Sequence, residues 1–75
     1  MKTEADLLAR IVVNPKVMLG KPVLKGTRIT VELVLRLLAQ GLSPEKILKD
    51  YPQLTKDDIP AVLLYAVKRE SEVIQ

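Results

Sequence analysis

The residue types that most often do chemistry are scarce in this chain. It has no histidine and no cysteine, so the commonest general bases, nucleophiles and soft metal ligands are missing. Asp57-Asp58 is the one adjacent acid pair. Its place at the start of a predicted helix has a structural explanation, because acids there favour the positive end of the helix dipole. Gly20 and Gly26 do not make a phosphate loop, since the Gly-Lys-Ser/Thr ending of that motif is absent. These features argue against an enzyme, a metal site or a bound cofactor.

What remains is charge. The formal net charge of +3 is unevenly spread. Arg10, Lys16, Lys21, Lys25 and Arg28 fall in residues 7–31 with no acid among them. The rest of the chain carries slightly more acid than base. A segment of this kind can attract phosphate, although a solubilising surface has the same composition. Lys16, Lys21, Lys25 and Arg28 are the candidate phosphate contacts. Gln53, Thr55 and Lys56, at the approach to the last helix, are the residues there best suited to touch DNA.

These side chains must be positioned by a small scaffold. Seventy-five residues make one domain at most, and a chain of this size buries only about 60% of its unfolded surface. Hydrophobic residues are 48% of the chain, yet Phe and Trp are absent and Tyr51 and Tyr65 are the only aromatics. The core is therefore Leu, Val and Ile, in quantity enough to suggest that a second copy or a partner completes it. No apolar run approaches the roughly 18 residues of a membrane span. The N-terminus lacks a signal-peptide pattern, and a cytoplasmic location is the default expectation.

Residues 1–29 are predicted to form a lead-in and a β-arm. Leu7, Leu8 and Ile11 allow a short first helix. Ile11 to Ile29 reads as a small irregular hairpin, punctuated by Asn14-Pro15, Gly20 and Gly26.

Three helices follow in residues 30–75. Thr30 caps the first, whose polar residues Glu32, Arg36 and Gln40 fall four apart on one stripe. The remaining apolar arc is about twice what one core needs. Val31, Val34, Leu35 and Leu38 are assigned to the core. Leu33 and Leu37 are assigned to a dimer or partner contact, with cover by the β-arm as the alternative. Gly41 ends this helix and turns Leu42 back onto Leu37. Ser43-Pro44-Glu45 starts the second helix, and Pro52 stops it near Asp50.

Thr55 is expected to cap the third helix, with Pro60 an irregularity inside it. Ile59, Val62, Leu63 and Ala66 are expected to face the core. Asp57, Ala61, Leu64 and Lys68 would then form the outward stripe, which is poorly equipped to read bases. Leu64 and Tyr65 join Leu33 and Leu37 as interface candidates. Beyond Val67 the charged run is expected to leave the core. The fold expectation is mainly α, a three-helix helix-turn-helix of homeodomain-like or winged-helix-like type with a short N-terminal β-hairpin or arm.

Three motifs carry a family resemblance. Gly20 to Ile29 (GKPVLKGTRI), Gly41 to Ile47 (GLSPEKI) and Tyr51 to Ile59 (YPQLTKDDI) stand in the order seen in the family catalogued as domain of unknown function 433. Gly20 to Ala66 as a whole closely resembles it. The resemblance implies a helix-turn-helix domain with a short β element, similar to VapB-type antitoxins that pair with a PIN-like ribonuclease toxin. It therefore implies a dimeric DNA-binding antitoxin or small transcriptional regulator that binds its operator and masks the toxin. The apolar excess and the poor outward stripe leave a second expectation open, a protein-interaction or dimerisation module that keeps the fold without reading DNA.

Overall fold

The computed structural model describes residues 2–73, with side chains described through Glu70. The protein is mainly helical. Its order is α1 (Glu4–Leu8), β1 (Ile11–Val12), a single helical turn (Met18–Gly20), β2 (Val23–Leu24), α2 (Val31–Ala39), α3 (Pro44–Asp50) and α4 (Asp58–Val73). β1 and β2 pair antiparallel, Ile11 against Leu24 and Val12 against Val23. The core gathers Leu24 and Ile29 from the arm, Val31 and Val34 from α2, Ile47 from α3, Leu54 from the turn, and Ile59 and Val62 from α4.

The helix ends form where local chemistry demands them. The Thr30 hydroxyl accepts from the Leu33 N–H at 3.0 Å, and Ser43 accepts from Lys46 at 3.1 Å. These bonds satisfy donors that have no partner inside their helices. At the end of α2, Gly41 has φ +95°, a conformation a side chain disfavours. Its N–H donates to Leu38 and that of Leu42 to Leu37, the paired closure that returns the chain towards the core. Leu42 and Leu37 both pack on that core, as their spacing suggests.

The polar stripe of α2 is outside, tied by an Arg36–Glu32 ion pair at 2.9 Å. Val31 and Val34 are buried, while Leu33, Leu35, Leu37 and Leu38 are all half-buried and packed against the core. The apolar arc is thus shared out more evenly than a strict division into core and interface residues.

The last helix departs from expectation in two ways. It begins at Asp58, three residues after Thr55, and its first bond runs from the Ala61 N–H to the Asp57 carbonyl. Pro60 therefore occupies the first turn, where an N–H would have no partner within the helix. The irregularity disappears.

The second departure is rotational. Ala61 is fully buried and Leu63 is 46% exposed, so the expected assignment of Ala61 outward and Leu63 inward is wrong. The reason is α1, which packs along α4. Ion pairs of Lys2 with Asp57 at 3.5 Å and of Glu4 with Lys68 at 3.1 Å bracket the contact. The stripe Asp57, Ala61, Leu64 and Lys68 is thus the seat of α1. Leu63 and Val67, 46% and 58% exposed, form the free face instead. Lys68, Arg69 and Glu70 are exposed, as expected for a helix end that leaves the core; the side chains of Val73 and Ile74 lie outside the described residues.

α1 has no fully buried residue, and it depends on polar ties. Thr3 and Asp6 exchange hydrogen bonds at 3.1 Å each way, which caps its start. The Thr3 backbone bond, with its hydroxyl, holds the Asp6 carboxyl below its ordinary pKa. At the far end Arg10 Nε donates to Asp58 Oδ1 at 2.6 Å. Asp58 Oδ2 accepts the Thr55 N–H at 2.8 Å. One buried carboxylate, 3% exposed, so joins the lead-in to the start of α4.

Candidate functional site

The basic arm is built from short chain reversals. After β2 the chain turns through Lys25 and Gly26, with the Thr27 N–H donating to the Leu24 carbonyl at 3.0 Å. Gly26 takes φ +80°, which the third position of a type II turn requires. The Thr27 hydroxyl donates to the Leu24 carbonyl at 2.8 Å and accepts from the Ile29 N–H at 3.0 Å. The Leu24 N–H then bonds the Ile29 carbonyl, and Val31 bonds Pro22. The chain from Pro22 to Val31 is a pinned loop with Lys25 and Arg28 exposed at its tip.

Beside this tip is an open cleft of about 640 Å³. Val12, Val17, Val23 and Ile29 give it apolar walls, and Asn14, Thr27, Arg28 and Gln53 supply polar groups. Arg28 and Gln53 come from distant parts of the sequence and meet here. Lys16 is exposed on the same arm, where its N–H bonds the Asn14 side chain at 2.9 Å. Lys16, Lys25 and Arg28 make no ion pair among the described residues.

The other charged and polar candidates are placed differently. Lys21 lies 3.5 Å from Glu32 and lines a separate groove. The Thr55 hydroxyl is occupied, accepting from Arg10 Nη2 at 3.0 Å and lying 3.4 Å from Asp58. Lys56 is exposed in the approach to α4. Arg10 is neutralised by Asp58, so the sequence-level count of the basic segment overstates its free charge. Asn14 joins the cleft through the turn-forming Asn14-Pro15 pair, a signal for a turn and not for a contact.

The separate groove runs between α2 and the second half of α4 and measures about 870 Å³. Leu35, Ala39, Tyr65 and Ala66 form its apolar floor, with Gly20 and Pro22 at one end. Its charged lining has both signs: Lys21, Glu32, Arg36, Arg69 and Glu70. Arg36, donating a side-chain hydrogen bond, and the nearby charge of Lys21 hold the Glu32 carboxyl below its ordinary pKa. The Arg69 guanidinium stands 5.9 Å from the centre of the Tyr65 ring, within cation–π range. Of the interface candidates, Tyr65 lines this groove, Leu33 and Leu37 pack on the core, and Leu64 is half-buried in the stripe facing α1.

The described residues thus offer a cleft that holds one cation, Arg28, and an apolar groove with charges of both signs at its rim. The family follows from comparison. The model of the family described as protein of unknown function (DUF433) matches residues 11–66, and the chain belongs to that family. The crystal structure of a DUF433 member protein from Anabaena variabilis ATCC 29413 is similar, at 28% sequence identity and a TM-score of 0.77. The match covers 85% of this chain and 63% of that one, so the chain spans less than two thirds of that protein. No curated protein matches the chain. Among the described residues no helix is long and apolar enough to cross a membrane.

Proposed function

We propose that this protein is a non-catalytic, cytoplasmic DNA-binding regulator of toxin–antitoxin type, which holds DNA through the basic arm and not through α4. The observation that carries the reading is the set Lys16, Lys25 and Arg28, with no acidic partner among the described residues, where Arg28 lines a cleft together with Gln53. Uncompensated cations on a pinned loop suit a phosphate backbone, with polar side chains to fix register. In this reading α3, the Tyr51–Asp57 turn and α4 form the helix-turn-helix. The usual reading face is blocked, because α1 lies on Asp57, Ala61, Leu64 and Lys68. The remaining face offers Leu63 and Val67, which cannot hydrogen-bond to base edges. Affinity would therefore exceed sequence selectivity.

The antitoxin part of the proposal rests on the family resemblance and implies a PIN-like ribonuclease partner. Its test is co-expression with the product of the adjacent gene. Co-purification with relief of toxicity supports it, and independent behaviour of the two proteins contradicts it. The DNA part is tested by fluorescence anisotropy on duplex from the upstream region. Salt-sensitive binding is expected; no binding at low salt, with or without the neighbouring product, would overturn it.

A second reading, a protein-interaction module without DNA binding, is favoured by the exposed Leu63–Val67 face of α4. There, Leu63→Asp with Val67→Asp should abolish partner capture and leave the fold intact.

A further inference from the structure

The segment that joins the two strands contains a feature that neither the fold nor the basic cleft uses. Met18, Leu19 and Gly20 all have positive φ, at 50°, 58° and 81°. Left-handed backbone at two successive side-chain-bearing residues is strained. Its effect is to hold Leu19 away from the protein, 95% exposed, with Met18 beside it at 42%. A strained turn that presents a leucine to water is unfavourable for an isolated chain, and it makes sense where the leucine is received elsewhere.

The receiving surface lies next to it. Gly20, bonded directly to Leu19, lines one end of the groove between α2 and α4 with Lys21 and Pro22. Leu19 is therefore joined directly to the edge of the groove. We propose that the occupant of the groove is a second copy of this chain, the two copies exchanging Leu19 about a two-fold axis near Lys21 and Pro22. In such an arrangement each copy supplies both halves of the contact, and the assembly closes at two. The groove is larger than one leucine, so Met18 enters with it.

Charge selects a like partner over a nucleic acid. The groove is lined by Lys21, Arg36 and Arg69 together with Glu32 and Glu70. A rim of three cations and two acids can face its own copy with cations of one copy near acids of the other. The basic cleft, which lacks acids, cannot do so. The two surfaces have no lining residue in common, so this inference stands or falls apart from the DNA reading.

The test is sedimentation equilibrium of the full chain from about 1 to about 300 µM, where mass action resolves monomer from dimer. The wild-type chain should dimerise. Leu19→Asn removes the knob and tolerates a left-handed backbone. Ala39→Arg fills the groove from an exposed helix position and adds a cation near the helix C-terminus, where it is tolerated. Each should raise the dimer dissociation constant at least about tenfold, with an unchanged circular dichroism spectrum. A wild-type chain that stays monomeric throughout would overturn the proposal and leave the groove to a different protein. A dimer that neither variant weakens would overturn it as well.

Discussion

The stretch from Thr30 to Leu54 and the arm from Val13 to Arg28 solve opposite problems. In the first, the helix ends are capped by Thr30 and Ser43, and α2 is closed by Gly41. Its apolar residues reach a common core. In the second, two residues carry strained backbone, Leu19 is in water, and three cations have no acidic partner among the described residues. The first region spends its sequence on making the fold. The second leaves interactions unmade, and such unmade interactions are where a partner can bind. Changes to the buried residues of Thr30–Leu54 should then cost stability and leave intrinsic binding alone, while changes to the exposed residues of the arm should do the reverse.

Ile47→Ala should break this comparison most severely on the stability side. Ile47 is fully buried at the centre of the cluster, and truncation there should cost about 3–4 kcal/mol in denaturant unfolding. The fraction still folded should bind DNA as before. Asp58→Ala comes next, at about 2–3 kcal/mol. It strands the Arg10 guanidinium and removes the acceptor of the Thr55 N–H; the partial exposure of Arg10 keeps the loss below that of a fully buried pair. The same variant should raise proteolytic cleavage near α1, since Asp58 is one of its few ties.

Thr30→Ala should cost about 1 kcal/mol, the ordinary cost of losing a helix cap. Calorimetry would show it as a fall of several degrees in Tm.

The smallest effect is the pH response of Glu32. Its folded-state pKa is depressed, chiefly by the hydrogen bond from Arg36. Its contribution is therefore full at neutral pH and is lost as pH falls through the ordinary carboxylate range towards the lower folded value. Melting curves of Glu32→Gln and the wild-type chain should converge as pH is lowered through that range. A gap that widens on acidification would contradict the assignment.

The same contrast explains what was legible in the residues. The α2–α3 joint could be placed closely because its signals are local: Thr30, Gly41, Ser43-Pro44 and Pro52 each act within a few positions. The pinned tip was anticipated only as an irregular arm, because the bonds that shape it link Pro22 with Val31 and Leu24 with Ile29. The buried face of α4 differs from the one its spacing predicts for a related reason. Helical spacing identifies which residues share a stripe, but cannot say that a five-residue helix far earlier in the chain will cover it. Arg10 reads as free positive charge in the sequence because its partner, Asp58, is 48 positions away. The chemistry of Arg28 and Gln53 marks both as candidates, while their meeting in one cleft depends on the fold. The left-handed backbone at Met18 and Leu19 had no signal at all, since neither residue type favours it.

The most direct test of the phosphate-binding arm is the salt dependence of DNA binding, compared between the wild-type chain and the Lys25→Ala, Arg28→Ala double variant. Two lost phosphate contacts should flatten the slope of log affinity against log salt by about 1.8, for every duplex sequence alike, with no change in Tm. An unchanged slope, or a loss confined to one sequence, would contradict the account.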